Sequence, residues 1–239
     1  MSESPKLAVL AFGAHPDDIE LGCGGLLARC ARRGQAVGAV DLTRGEGASR
    51  GTVEERAREA AQAAEILGLS VRENLALPDL HLEDSTANRY LVADLVRRYR
   101  ADLVLAPLPQ DRHPDHAAAS AFVTHGAFYA RLPKIVTDHP PHSPAAVLYY
   151  LIHENVTPSF VVDISEVWEQ KQAAVKAYRS QFEGAMPAGY KFVGTSDYHV
   201  ATGARAMYWG AQIQCAYGEA YVAPRTLRVD DPVALLVGS

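Results

Sequence analysis

A chain of 239 residues that is 48% apolar and 21% charged is long enough to bury a sizeable core, and it has the composition of an ordinary globular protein. Its formal net charge of −5 excludes the basic footprint of a nucleic-acid binder. The apolar run at residues 7–14 is too short for a membrane span and ends in an acidic turn, so a cytoplasmic protein with no membrane partner is expected. Cys23, Cys30 and Cys215 are odd in number and lack CxxC spacing, which argues against a disulfide framework or a thiolate zinc site and for small buried hydrophobes.

Residues 6–14, KLAVLAFGA, form a nearly continuous apolar run, as in a strand covered on both faces. After the acidic turn, ELGCGGLLARCARRG has helical character and stops at Gly34, a residue suited to the left-handed close of a helix. AVGAVDLT predicts the second strand. TVEERAREAAQAAEILG predicts a helix with Thr52 as its N-cap, glutamates in its first turn and Gly68 at its end. SVRENLAL, NRYLVADLVRRYR and ADLVLAP continue the alternation as strand, helix and strand. The pattern predicts an α/β fold: a Rossmann-like, doubly wound, mostly parallel sheet with helices on both faces over residues 5–130. Beyond it, the proline-rich RLPKIVTDHPPHSPAA reads as a loop or lid. AVLYYLI and SFVVDI read as further strands, and residues 166–179 and 201–217 as helices. With no repeat and no second core pattern, residues 1–239 read as one domain, in which 131–239 supply a lid and a C-terminal elaboration.

In such a sheet a ligand binds beyond the carboxyl ends of the strands, where the strand order reverses. With the usual order 3-2-1-4, that crevice lies between the first and fourth strands. The turn after the first strand is AHPDD, with His15, Asp17 and Asp18; the turn after the fourth is PQDRHPDH, with Asp111, His113, Asp115 and His116. The two turns richest in histidine and carboxylate therefore meet at one place. His15 and Asp18, three apart on a turn entering a helix, and His116 from the other turn make a His, Asp, His set suited to a catalytic zinc, or to iron(II). Asp17 is then free to take a proton from the attacking water, and His113 to carry a proton or steady charge on the attacked oxygen.

Each feature also has a plainer explanation. A proline and two aspartates before a helix serve as a capping turn by themselves. Gly22, Gly24 and Gly25 between a strand and a helix, with Asp41 at the end of the second strand, suggest a dinucleotide-binding module. The spacing fails that fingerprint, since position 27 is leucine and two aspartates fill the phosphate turn.

On AHPDDIELGCGG, DLTRGEGASRGT, DRHPDH and AYRSQF the chain resembles the LmbE-like, or PIG-L, family of zinc-dependent N-acetylglucosamine deacetylases, and within it the bacillithiol-pathway enzymes acting on N-acetylglucosaminyl malate. The resemblance implies zinc ligands His15, Asp18 and His116, Asp17 as general base, and His113 at the oxyanion or leaving amine. It also implies an oxyanion-side tyrosine, best matched by Tyr198 in GTSDYHVATGARA, which otherwise reads as a partly buried tyrosine. Arg50 and Arg112 then suggest an amino-sugar substrate with carboxylates, against a plainer role as solvated loop arginines. Asp111 stands where some relatives carry tyrosine. Relatives often form homohexamers. Among the other histidines, His81 and His199 are within reach of the cleft, while His125, His139, His142 and His153 read as structural. Another N-acetylglucosamine conjugate, such as a chitobiose-type sugar, is the alternative substrate.

Overall fold

The computed structural model describes residues 4–183 and 198–231. The chain builds β1 (Val9–Gly13), α1 (Asp18–Arg32), β2 (Val37–Thr43), α2 (Val53–Leu67), β3 (Val71–Leu77), α3 (Thr86–Arg98), β4 (Leu103–Pro107) and α4 (Pro114–Ala130) in strict alternation. Then follow β5 (Ala146–Tyr150), β6 (Phe160–Asp163), α5 (Trp168–Lys176), α6 (Arg179–Phe182), α7 (Tyr198–Gln212) and β7 (Gly218–Val222). One sheet of seven strands results, in the order β3-β2-β1-β4-β5-β7-β6. The first five strands pair in parallel, β7 is antiparallel to both β5 and β6, and the order reverses between β1 and β4 as the sequence predicts.

Local chemistry explains the elements. β1 and β2 are buried along their whole length, which is why they read as apolar runs. Thr52 and Glu55 form a capping box at the start of α2, and Gly68 closes that helix at φ 73°. α3 and α4 cover one face of the sheet through Val92, Val96, Phe122 and Val123, packed with Leu10 and Phe12. α1 covers the other through Ile19, Cys23 and Leu27, and α2 and α5 add a layer around Leu67, Trp168 and Tyr178. Trp168 stacks on Tyr217 at 4.3 Å. Cys23 is buried, Cys30 and Cys215 are half-buried, and all three are free thiols. No helix among the described residues is long and apolar enough to cross a membrane.

Two expectations are corrected. The helix predicted over residues 166–179 stops at Lys176, because the chain turns at Tyr178 to send its side chain inward, and α6 follows. The helix predicted over 201–217 spans Tyr198–Gln212 and is followed by β7. That strand escapes periodicity because the charged Glu219 occupies a buried place between two other strands, where an apolar residue is expected. Of the two readings of the proline-rich 131–145 stretch, loop or lid, the structure shows the loop. It feeds the start of β5, at the amino ends of the strands, and buried Arg97 clamps it by donating to the carbonyls of Ala130, Leu132 and Ile135 at 2.8–2.9 Å.

Gly22 and Gly25 of α1 are packing notches. A Cβ on Gly22 would lie 2.1 Å from the Tyr150 ring, whose hydroxyl donates to the Phe12 carbonyl at 2.7 Å. Around Gly24 the nearest atom is 3.6 Å away, an ordinary contact. Gly22→Ala should therefore lower stability by about 1–3 kcal/mol through overpacking. Gly24→Ala should raise it by up to about 1 kcal/mol through helix propensity. Thermal melts of both variants check the contrast, and equal effects would refute the notch.

Candidate active site

The site begins where β1 runs out. The Thr43 backbone N–H and hydroxyl at the end of β2 both donate to the Ala14 carbonyl, at 3.0 and 2.9 Å, and so hold the turn from below. From α2, buried Arg56 donates to the Pro16 carbonyl and lies 3.3 Å from an Asp17 oxygen. Asp17 itself has φ 119°, a left-handed conformation that strains any residue with a Cβ by about 1–3 kcal/mol. The surrounding anchors hold that strain in place, and Asp18 becomes the first residue of α1 beside it.

Asp18 is shared by two histidines from the two turns. It accepts from the His15 backbone N–H at 2.8 Å, faces His15 Nδ1 at 3.5 Å and faces His116 Nε2 at 3.2 Å. The far nitrogens of both rings meet other carboxylates: His15 Nε2 meets Asp79 at 3.0 Å and Asp115 at 3.4 Å, and His116 Nδ1 meets Asp111 at 3.1 Å. This is how proteins orient metal-binding imidazoles, with a carboxylate behind each ring fixing the tautomer and turning the near nitrogen to the ion. The donor chemistry of His15, Asp18 and His116 thus fits a divalent metal ion. The other Asp111 oxygen, Oδ2, is buried without a hydrogen bond on the outer side of the same arrangement.

His113 stands with them, its ring 4.8 Å from that of His15 and 4.9 Å from that of His116. Its Nδ1 caps α4 by accepting from the Asp115 backbone N–H at 3.2 Å. A neutral ring that accepts at Nδ1 carries its proton on Nε2, so His113 offers an N–H donor instead of a ligand lone pair. Burial, with the cationic character of His15 and His116 beside it, lowers its pKa and keeps it neutral.

Electrostatics divide the two aspartates. Burial pushes Asp17 up to about 7, against the pull of Arg56, which suits a proton acceptor near neutral pH. Burial also acts against the Asp18 carboxylate, but His116 and His15 outweigh it and hold its pKa well below the ordinary range. For His15 and His116 burial opposes the charge and the carboxylates prevail, raising both, His116 to about 9. The pocket therefore demands positive charge at its centre.

Three residues of the site were not assigned from sequence. His153, read as structural, lies past the end of β5, next to β4 in the sheet, and its ring stacks on His116 at 5.4 Å. The carboxyl-end rule applied to a third strand would have found it. Asp79, on the loop after β3, accepts from the backbone N–H groups of Gly47 and Leu80 while it holds His15. Asp111, the departure from the tyrosine of some relatives, is the partner of His116. Tyr198 does come to the site's edge, its hydroxyl 3.3 Å from His153 Nδ1; residues 194–197 of its sequence block lie outside the described residues. Arg112 reaches the same His153 nitrogen at 3.4 Å. Arg50 instead clasps Gln181: it donates to that residue's carbonyl at 3.1 Å and accepts from its side-chain amide at 2.9 Å. His81 is exposed, His199 packs edge-on against Phe182, and His125 and His139 pair with Asp84 and Asp94. Asp41, the residue of the dinucleotide reading, is gripped by Arg72, which also bonds Glu20 and the Tyr178 hydroxyl.

Residues 10–127 match the family model described as PIG-L: GlcNAc-PI de-N-acetylase. The diacetylchitobiose deacetylase of Thermococcus kodakarensis is 32% identical over 189 residues, 73% of this chain and 70% of that one. The 4-oxalmesaconate hydratase of Pseudomonas putida is 29% identical over 202 residues, covering 74% and 75%. The crystal structure of a conserved protein from Thermus thermophilus superposes with a TM-score of 0.84 at 42% identity, covering 94% of this chain and 98% of the other.

The geometry predicts separable losses. Asp17→Asn should keep metal and lose on the order of 10²-fold or more in turnover. His116→Ala should lose the metal, and Asp79→Asn should weaken its binding by about 10- to 100-fold. Metal titration of the three purified variants reads this out, and an Asp17→Asn protein that turns over normally would overturn the base assignment.

Proposed function

The chain belongs to the PIG-L deacetylase family, and from that premise we propose that it is a metal-dependent amidohydrolase that removes acetate from an N-acetylglucosamine conjugate. The observation that carries this reading is Asp18 set between His15 Nδ1 and His116 Nε2, each ring backed by a carboxylate, with Asp17 as the adjoining residue. A zinc ion held by these three residues would supply Lewis acidity toward the acetyl carbonyl and an acidified water. Asp17 takes the proton as the water oxygen bonds to the acetyl carbon. His113, held as the Nε2–H tautomer, donates to the carbonyl oxygen as charge grows there. The proton on Asp17 then passes to the glucosamine nitrogen as the C–N bond breaks, leaving acetate and a free amine.

The finer reading, an N-acetylglucosaminyl malate, is supported by Arg112 on the wall next to His153. A second reading has a specific basis in the hydratase match over 74% of the chain: addition of water across the double bond of an unsaturated carboxylate. One substrate panel tests both. Zinc-loaded protein is offered N-acetylglucosaminyl malate, diacetylchitobiose and 4-oxalmesaconate, and free acetate and ultraviolet loss of the conjugated alkene are followed. Acetate from the amino sugars with no alkene loss is expected; alkene loss without acetate would replace the deacetylase reading with the hydratase one.

A further inference from the structure

Beside the metal turn lies a cavity of about 220 Å³, walled by His153 and Tyr198 and by Thr202, Arg205 and Trp209 of α7, with Lys171 and Glu219 at its floor. Its charges do not cancel. Lys171 and Glu219 neutralise each other at 2.5 Å, and Glu219 is further bound by the backbone N–H groups of Gly25 and Leu26 and by the Tyr221 hydroxyl. Asp111 is committed to His116 and to the His113 backbone N–H. That leaves Arg205. Its guanidinium is half-buried and donates to the His153 carbonyl at 3.2 Å, and no carboxylate among the described residues pairs with it. Withdrawing a cation from water with no carboxylate in direct contact is unfavourable, so the guanidinium stands ready for an anion that enters the cavity. Arg112 lines the same cavity.

Resting on the deacetylase reading, we propose that Arg205 is a specificity-determining residue that binds a carboxylate on the aglycone of the substrate, within this cavity. A planar guanidinium suits a carboxylate because it donates two parallel hydrogen bonds. Arg205 bonds the backbone carbonyl of His153, the residue whose ring stacks on His116, which sets the guanidinium on the side of the cavity that adjoins the metal turn.

The test uses the metal-loaded full chain and two substrates, an N-acetylglucosaminide of a 2-hydroxy acid and the methyl ester of the same compound. In the wild-type protein the acid should be preferred by about ten- to a hundredfold in kcat/KM, the range of a charge-assisted hydrogen-bonded pair. Arg205→Gln should abolish that ratio chiefly through KM for the acid, and Arg205→Lys should restore part of it. Equal kcat/KM for acid and ester in the wild type, or an Arg205→Gln variant that lowers both alike, would overturn the proposal. Calorimetric binding of the deacetylated acid and of its ester gives a readout independent of turnover. If neither compound releases acetate, the deacetylase reading fails by itself. Calorimetry then decides the anion site: a preference for the acid that Arg205→Gln removes supports it, and no preference refutes it.

Discussion

The structure turns on one carboxylate shared between two turns. Asp18 is the first residue of a helix, is tied to the backbone of His15, and faces an imidazole from each side of the reversal in strand order. None of this works unless β1 and β4 are parallel neighbours, which aims both following turns the same way. The doubly wound topology is therefore more than a scaffold for the site. It brings a His-Pro-Asp turn at residues 15–17 within hydrogen-bond distance of a second one at residues 113–115, about a hundred residues away, where His15 meets Asp115.

Around that carboxylate, negative charge is gathered behind the two histidines. Asp79, Asp111 and Asp115 stand behind the rings, while Arg56 is directed to Asp17 and Pro16. A carboxylate cluster in a buried setting is held apart by its own repulsion unless a positive ion sits at the centre. The same logic runs in reverse at the neighbouring cavity, where the unbalanced charge is Arg205. Two adjoining places of opposite demand are what a molecule with a neutral amide and an acidic arm would meet in turn.

Much of this was legible in the sequence, for reasons that can be named. The turns at residues 15–18 and 111–116 stand out because titratable residues interrupt apolar runs, and alternating elements place them on one crevice. Thr52 and Gly68 follow from capping rules that act over a few residues. His153 and Asp79 were hidden because each is a single polar residue after a strand, with nothing repeated beside it, and their roles appear only when β5 and the loop after β3 are set next to the turns. Tyr178 in AYRSQF is buried, and its hydroxyl accepts from Arg72, a role that no local pattern announces. Arg50 and Arg112 looked alike as loop arginines, yet one is spent on Gln181 and the other faces the cavity, a difference only tertiary contacts decide.

The Lys171–Glu219 pair has a consequence for the order in which the protein is made. Its two side chains reach into the middle of α1, Lys171 donating to the Leu21 carbonyl and Glu219 accepting from Gly25 and Leu26. These contacts span some 150 to 194 residues, so they form only after a long loop has closed. A nascent chain can lay down β1, β2 and both histidine turns well before β7 has left the ribosome. Until β7 docks, the helix that presents Asp18 lacks the partners for its own middle turn, so the catalytic centre is completed by the C-terminal part of the sheet and not by the two turns alone.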